Sequence, residues 1–316
     1  MKIPDYFISC DWGTSNFRLR LVETKTLNVL VEHKTDQGVK NVYQKFLQQN
    51  QIDQTQFFKN YLENQINNLD EHHKADLVLA AGMASSNIGM KELPYGEIPF
   101  NDKGEGLHWE IVPFKDKLDI ILISGVKTET GMMRGEEIQA FGLSKYLESY
   151  LSGTLILPGT HSKHINYQNG EFNSLKSFMT GEVFELLSCN SILSNSVEKC
   201  HWINKRHRAF KQGLEIGFKG ELSAQLFSIR ARHILDDANK KDNLYLLSGM
   251  LIGDELSYLK NMKQTIFLAA SEPFYSMYKM ALETILDVTQ VVCFGDKVLE
   301  KALLVGQKKI IELYAK

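Results

Sequence analysis

The stretch FISCDWGTSNFRLRLV, residues 7–22, reads as a short apolar strand ending in Asp11-Trp12-Gly13-Thr14, with a second strand beginning within a few residues. Alternation along FRLRLV sets Phe17, Leu19 and Leu21 on one face and Arg18 and Arg20 on the other. A phosphate needs backbone N–H groups that it can approach closely, hydroxyl donors, and often a metal held by a carboxylate. This turn supplies them: Gly13 permits close approach, Thr14 and Ser15 carry hydroxyls, and Asp11 can hold Mg²⁺ through water. A single Asp-Gly-Thr turn beside two arginines is more often an ordinary solvated hairpin.

A second turn changes that balance. TLILPGTHSKHINYQNGEFNSLKSFMTG (154–181) gives strand, Gly-Thr turn, strand, Asn-Gly turn and strand, the last turn being a strong hairpin signal. Gly159, Thr160, His161 and Ser162 form a similar cradle, with Lys163 nearby. Around the first turn the pattern is β-β-β-α-β, with TQFFKNYLENQINNL (55–69) as an amphipathic helix and DLVLAAG (76–82) as a buried strand. Residues 182–242 read as mostly helical, TIFLAAS (265–271) as a buried strand and 296–315 as a terminal helix. The expectation is an α/β protein of two similarly planned domains, 1–131 and 132–316.

The 316 residues, 43% hydrophobic and 23% charged, hold apolar material for two ordinary cores. Basic and acidic residues nearly cancel, 36 against 38, so net charge gives no case for nucleic acid or an anionic membrane surface. Any anion is expected to be bound locally. Cys10, Cys189, Cys200 and Cys293 form no CxxC pair, which indicates neither a disulfide framework nor a zinc site. No apolar run suits a signal peptide or approaches the roughly 20 residues of a membrane span. The expectation is a cytoplasmic protein without membrane or nucleic-acid partners, a homodimer being left open.

In MMRGEEIQAFGLSKYLESYL (132–151), a helix from about residue 134 to 150 places Ala140, Leu143, Leu147 and Tyr150 on one stripe. Stepping back four from Ala140 reaches Glu136, which continues the buried face, while Glu137 lies about a hundred degrees round. Acidic residues at a helix start commonly complement its dipole. Beside a phosphate site, Glu136 reads better as a general base for a substrate hydroxyl, with Glu137 in reserve. NLYLLSGMLIGDEL (243–256) reads as a strand ending in Ser248-Gly249 and then a helix, small residues that let a flat ligand such as adenosine lie against the backbone. Neither GxxxxGK[ST] nor GxGxxG after a strand occurs, which argues against Walker-type NTPases and dinucleotide enzymes.

Together these residues resemble the actin/hexokinase/Hsp70 superfamily and, more narrowly, the 2-dehydro-3-deoxygalactonokinase family. The likeness covers nearly the whole chain. DWGTSNFRLRL (11–21) resembles the family's first phosphate loop, AAGMASSNIGMKELPY (80–95) its substrate-side segment and MRGEEIQAFG (133–142) its connecting helix. LPGTHSKHI (157–165), followed by FMTGEVFELLS (178–188), resembles the second phosphate loop, and LSGMLIGDEL (247–256) the adenosine segment. The resemblance implies two ribonuclease H-like (actin-like ATPase) domains around an ATP cleft. It also implies an ATP- and Mg²⁺-dependent kinase that phosphorylates a small sugar acid, 2-dehydro-3-deoxy-D-galactonate, to its 6-phosphate.

By the same resemblance, Asp11, Gly13, Thr14, Ser15, Arg18, Gly159, Thr160, His161, Ser162 and Lys163 would contact phosphates, with Asp11 at the metal. Ser248 and Gly249 would border adenosine. Arg134 and Arg18 would meet the sugar-acid carboxylate or the transferred phosphoryl group, and Ser85, Ser86, Asn87 and Tyr95 would line the substrate. The family's segment after Gly-Met usually reads closer to V-G-S-R-x-G-W, where this chain has Ala84, Ser85, Ser86, Asn87 and Met90. His164 stands where tryptophan is common. DWGTSNFRL also resembles the D-x-G-S-N-S-x-R-L loop of polyphosphate and guanosine-pentaphosphate phosphohydrolases, but their Gly-rich second loop is not LPGTHSK. A third reading, a non-catalytic actin-like ATP-binding protein, sits poorly with the RGEE helix.

Overall fold

The computed structural model describes residues 2–115, 118–203 and 207–316. Residues 204–206, inside the stretch expected to be mostly helical, lie outside those described. Contacts divide the chain into two compact units. The first holds the residues up to Leu151 together with Tyr167–Leu175 and Lys297–Lys316; the second holds Ser152–Asn166 and Lys176–Asp296.

The first unit runs β1 (Tyr6–Trp12), β2 (Phe17–Glu23), β3 (Val29–Thr35), α1 (Val39–Phe46), α2 (Gln54–Asn67) and β4 (Leu77–Gly82). Two short strands, β5 (Gly96–Glu97) and β6 (Phe100–Asn101), precede β7 (Trp109–Lys115) and β8 (Leu118–Ile123), and two more, β9 (Val126–Lys127) and β10 (Met132–Met133), lead into α3 (Glu136–Leu147). The main sheet has the order β3-β2-β1-β4-β8-β7. β1, β2 and β3 form an antiparallel meander, β4 runs parallel to β1, and β8 parallel to β4. All six positions of β4 are buried, as a central parallel strand covered on both faces requires. On one face Ile8, Cys10, Trp12, Val78 and Ala80 pack with Phe58, Leu62 and Ile66, the apolar stripe of α2. Asp53 starts that helix by accepting from the Gln56 N–H.

The second unit continues with β11 (Ser152–Leu157), β12 (Ser162–Gln168), β13 (Glu171–Phe178), α4 (Thr180–Asn190), α5 (His207–Phe218), α6 (Leu222–Leu235), α7 (Lys240–Leu256), β14 (Thr265–Ala269), α8 (Phe274–Ile285) and β15 (Val291–Phe294). Its strands lie in the order β15-β14-β11-β12-β13, with β14 parallel to both β11 and β15. Numbered in chain order, the second unit's strands read 3-2-1-4-5, the ribonuclease H-like order, and the first unit's sheet follows the same plan with β8 in the fifth place and an added antiparallel edge strand, β7, beside it. The α/β fold class and the internal repeat hold.

One expectation needs revision. NLYLLSG is not a strand: residues 243–249 lie wholly inside α7, capped by the Asn239 side chain, which accepts from the Lys241 and Asp242 N–H groups. An apolar run buried on all sides has no period to separate strand from helix. The informative signal was the spacing of four between Gly249 and Gly253, matched by Gly213 and Gly217 on α5. A methyl group on any of the four would meet backbone of the facing helix, so the glycines permit the close approach of α5 and α7.

The expected boundary at residue 131 and the compact units do not coincide, because packing holds α3 in the first unit. The last helix, α9 (Asp296–Tyr314), returns to that unit and lies on α3. A methyl on Gly142 would strike the Ala302 carbonyl, and one on Gly306 the Ile138 carbonyl. Gln307 Nε2 donates to the Leu79 carbonyl of β4 at 3.3 Å.

Candidate active site

The first turn is built from β1, β2 and the start of α1. Asp11 sits opposite Arg18 in the hairpin register, and the Gly13 N–H donates to the Asn16 carbonyl at 2.9 Å. The carbonyls of Gly13, Thr14 and Ser15 accept from the N–H groups of Val39, Lys40 and Gly38. Gly38 has no room for a side chain against Thr14, which is why the helix start can press on the turn. The Thr14, Ser15 and Asn16 side chains are left exposed.

Asp11, Gly13, Asn16, Phe17, Arg18, Lys34 and Thr35 line a cavity of about 370 Å³. Burial raises the Asp11 carboxyl above its ordinary range, and the Arg18 and Arg20 charges pull it back. The two arginines share a strand face but differ in employment. Arg20 is buried and paired with Glu32 at 2.6 Å and Glu300 at 3.0 Å, whereas Arg18 is half-buried and reaches Glu300 only at 3.5 Å. Lys34, on β3, was missed by the sequence reading; on an alternating strand it looked like any solvated lysine.

A second group forms at the start of α3. Gly135, at φ +109°, faces Gly82, at φ +87°, a close approach of two backbones that suits glycine. Arg134 Nη1 donates to the carbonyl of Ser85 and, at 2.5 Å, to its hydroxyl, and the guanidinium lies 4.2 Å from the centre of the Tyr95 ring. Ser85, Tyr95 and Arg134 are thus brought together. Ser86 is turned to the Met83 carbonyl at 2.7 Å, and Asn87 is exposed, its carbonyl accepting from Gln54.

Glu136 Oε2 accepts from the Arg134 N–H at 3.1 Å and Glu137 Oε2 from the Gly135 N–H at 2.6 Å. The fully buried member is Glu137, not Glu136, which keeps some exposure. The single stripe misjudged this because α3 is covered on several sides, Ile138 and Phe141 being buried along with Ala140 and Leu143. Burial, and then the neighbouring Glu136 charge, push the Glu137 carboxyl up to about 8.

The second turn joins β11 to β12. Gly159, Thr160 and His161 lie at its open side, and the space where a Gly159 side chain would stand is empty to 4 Å. The start of α4 is pressed against it: Glu182 N–H donates to the Thr160 carbonyl at 3.0 Å, and a Cβ on Gly181 would be 2.6 Å from the Gly159 carbonyl oxygen. His161 Nε2 meets Glu182 Oε2 at 2.5 Å. Ser162 and Lys163, expected at phosphates, are instead buried in β12. The Ser162 hydroxyl pairs with the Tyr278 hydroxyl at 3.0 Å, and Lys163 Nζ donates to Ser177 at 3.2 Å.

Beside this turn lies a cavity of about 540 Å³, lined among others by Gly159, Thr160, Thr180, Gly181, Trp202 and Tyr245. The rings of Trp202 and Tyr245 stack at 5.0 Å. Ser248 lines this cavity, whereas Gly249 faces α5. Trp202 and Tyr245 carried no motif and could be placed only by the fold; Thr180 and Gly181 lay within a segment already singled out.

Mg²⁺ usually keeps several waters and binds through one or two carboxylates plus substrate phosphates. Asp11 meets that requirement in the first cavity. No group of three or more His, Cys, Asp or Glu suited to a metal occurs among the described residues, so they offer no closed protein cage. Among the same residues no helix is long and apolar enough to cross a membrane.

A sequence model of the 2-keto-3-deoxy-galactonokinase family matches residues 11–315. The chain is 28% identical over 294 residues to the 2-dehydro-3-deoxygalactonokinase of Escherichia coli (strain K12), covering 90% of this chain and 92% of that protein. A Rhizobium meliloti (strain 1021) relative, given the same name provisionally, is 27% identical over 293 residues, covering 90% and 91%. A crystal structure of a Sinorhizobium meliloti protein, also provisionally described as a 2-dehydro-3-deoxygalactonokinase, superposes with a TM-score of 0.80 at 25% identity, covering 96% of this chain and 94% of that one.

Proposed function

The chain belongs to the 2-keto-3-deoxy-galactonokinase family, and from that premise we propose that it transfers the γ-phosphoryl group of ATP to 2-dehydro-3-deoxy-D-galactonate, giving the 6-phosphate. The observation that carries the ATP reading is the 540 Å³ cavity. Its lining combines an open Gly-Thr turn, the first residues of α4 and the stacked rings of Trp202 and Tyr245. A nucleotide needs both kinds of surface, N–H-rich backbone for phosphate and flat apolar walls for the base.

In this reading Asp11 would hold Mg²⁺, which supplies charge neutralisation on the phosphates. Gly13, Thr14, Ser15 and Arg18 would serve as the first phosphate cradle, and Gly159, Thr160 and His161 as the second. Glu136 takes the proton of the attacking hydroxyl. Glu137, largely protonated at neutral pH, fixes the Gly135 N–H and so the entry to α3. Arg134 meets the substrate carboxylate: a guanidinium carries five N–H donors, and the Ser85 contacts use Nη1 alone. Tyr95 braces its plane. Asn87, exposed and without the arginine common in the family, is the position at which sugar preference is open to change.

The test is ADP release from Mg-ATP with a panel of sugar acids that includes 2-dehydro-3-deoxygalactonate and its gluconate epimer. ADP appearing with the galactonate acid alone is expected. Equal release with no acid present would replace the kinase by a phosphohydrolase, and silence with every acid would leave a nucleotide-binding protein.

A further inference from the structure

Behind the second turn, one carboxylate gathers the side chains that reach the cavity wall. Glu255, on α7, is only 2% exposed and is not among the residues lining the cavity. Its Oε2 accepts from the Tyr278 hydroxyl at 2.8 Å and from the Thr180 hydroxyl, while its Oε1 meets His164 Nε2 at 2.8 Å. Ser162 donates in turn to Tyr278, and the Tyr258 hydroxyl meets His164 Nδ1 at 2.8 Å. With Nε2 of His164 carrying the proton, every donor in this set points toward Glu255, and a buried carboxylate is tolerated only when so satisfied.

Two of the direct partners, Thr180 and Tyr278, line the cavity. Thr180 is also the first residue of α4, whose Glu182 N–H holds the Thr160 carbonyl and whose Gly181 packs on Gly159. The connection therefore runs from Glu255 through Thr180 to the backbone of the Gly-Thr turn. Glu255 sits at the far end of the helix that presents Tyr245 and Ser248 to the same cavity.

We propose that Glu255 is a positioning residue for nucleotide: through Thr180 and Tyr278 it fixes the turn and the start of α4 in the arrangement that receives phosphates. This rests on the reading of the cavity as the ATP site. Removing the charge while keeping the shape leaves Thr180 and Tyr278 competing for fewer acceptor sites, so the cost falls on nucleotide binding and not on the sugar acid.

The experiment compares Glu255→Gln, Thr180→Val and Thr180→Ser in the full chain. ADP dissociation constants are measured by calorimetry, KM is measured separately for ATP and sugar acid, and melting temperature is recorded without ligand. Expected are a tenfold or greater weakening of ADP and a matching rise in the ATP KM for Glu255→Gln and Thr180→Val, with the sugar-acid KM unchanged within about twofold. Thr180→Ser, which keeps the hydroxyl, stays near the parent protein. ADP affinity unchanged in Glu255→Gln and Thr180→Val, or lost equally in Thr180→Ser, overturns the proposal. If Glu255→Gln does not fold, the Thr180 pair decides alone.

Ser248→Trp separates the two levels, because it fills the cavity. Loss of ADP binding there, with retention in Glu255→Gln, removes only the role of Glu255. Normal ADP binding in Ser248→Trp removes the nucleotide site itself, and the proposal with it.

Discussion

Two adjacent carboxyls at the start of α3 live in different media. Glu136 keeps some exposure to solvent, whereas Glu137 is enclosed and its Oε1 meets no hydrogen-bond partner among the described residues. On the proposed reading the pair divides its work: the more open Glu136 accepts the proton, and the enclosed Glu137, its carboxyl pushed up to about 8, holds the Gly135 backbone N–H. Glu136→Gln is expected to lower kcat by about 10² or more, in the range of a general base, with ADP affinity kept; a normal kcat in that variant would move the base elsewhere. Glu137 bears on stability. The unfolded chain loses this proton near the ordinary value of 4.5, while the folded chain keeps it until about 8. Folding then binds a proton between those values, and Glu137 lowers stability progressively as pH rises through that window, by a few kcal/mol at its upper end. Glu137→Gln should match the parent in denaturant midpoint near pH 4 and exceed it at pH 8, and a gap of constant size would refute the assigned shift. The sequence sets both residues at the start of a helix, yet does not say which is enclosed, since that depends on what covers α3 from several directions.

Glycines with different surroundings do different work in the elements. Gly249 presses α7 on α5, where a methyl would collide with the Phe210 carbonyl, while Gly159 stands in open space. Gly249→Ala should cost about 1–3 kcal/mol as overpacking, seen as a lower urea midpoint. Gly159→Ala should change stability by no more than about 0.5 kcal/mol, yet on the proposed reading raise the ATP KM, because the added methyl would occupy the open side assigned to a phosphate. Equal stability loss in both would contradict this division. The strands were legible where one face is covered and alternation shows, as in β1 and β2. α7 was misread because it is apolar nearly all round, and its buried face toward α5 was written in small residues instead of large ones. Of the adenosine pair taken from that segment, Ser248 reaches the cavity and Gly249 serves packing.

Across the whole molecule, two Gly-Thr turns together with the strand order around them indicate a repeated plan, and both sheets carry it. What local patterns did not carry was which unit each segment joins. The β12–β13 tip belongs with the first unit, where Phe172 stacks on Phe100 at 4.7 Å, and α9 belongs there through its contacts with α3. These memberships are set by pairings between residues far apart in the chain, beyond any window of periodicity. A fragment of residues 1–151 should accordingly lack a cooperative thermal transition, and a peptide of residues 297–316 added in trans should restore part of it. A fragment that melts as sharply as the full chain would show α9 to be dispensable.

The return of α9 also bears on synthesis at the ribosome. Domains ordinarily fold as they emerge, the N-terminal one first. Here the helix that covers α3 is translated only after the whole of the second unit, so until then the nascent first unit lacks the cover that α9 gives the backbone of Ile138 and Gly142. The second unit is free to fold earlier, although its first strands leave the exit tunnel later. If α9 is required as the fragment experiment predicts, the unit made first is expected to be completed last, and limited proteolysis of stalled nascent chains should find the first unit open until residues 297–316 have emerged.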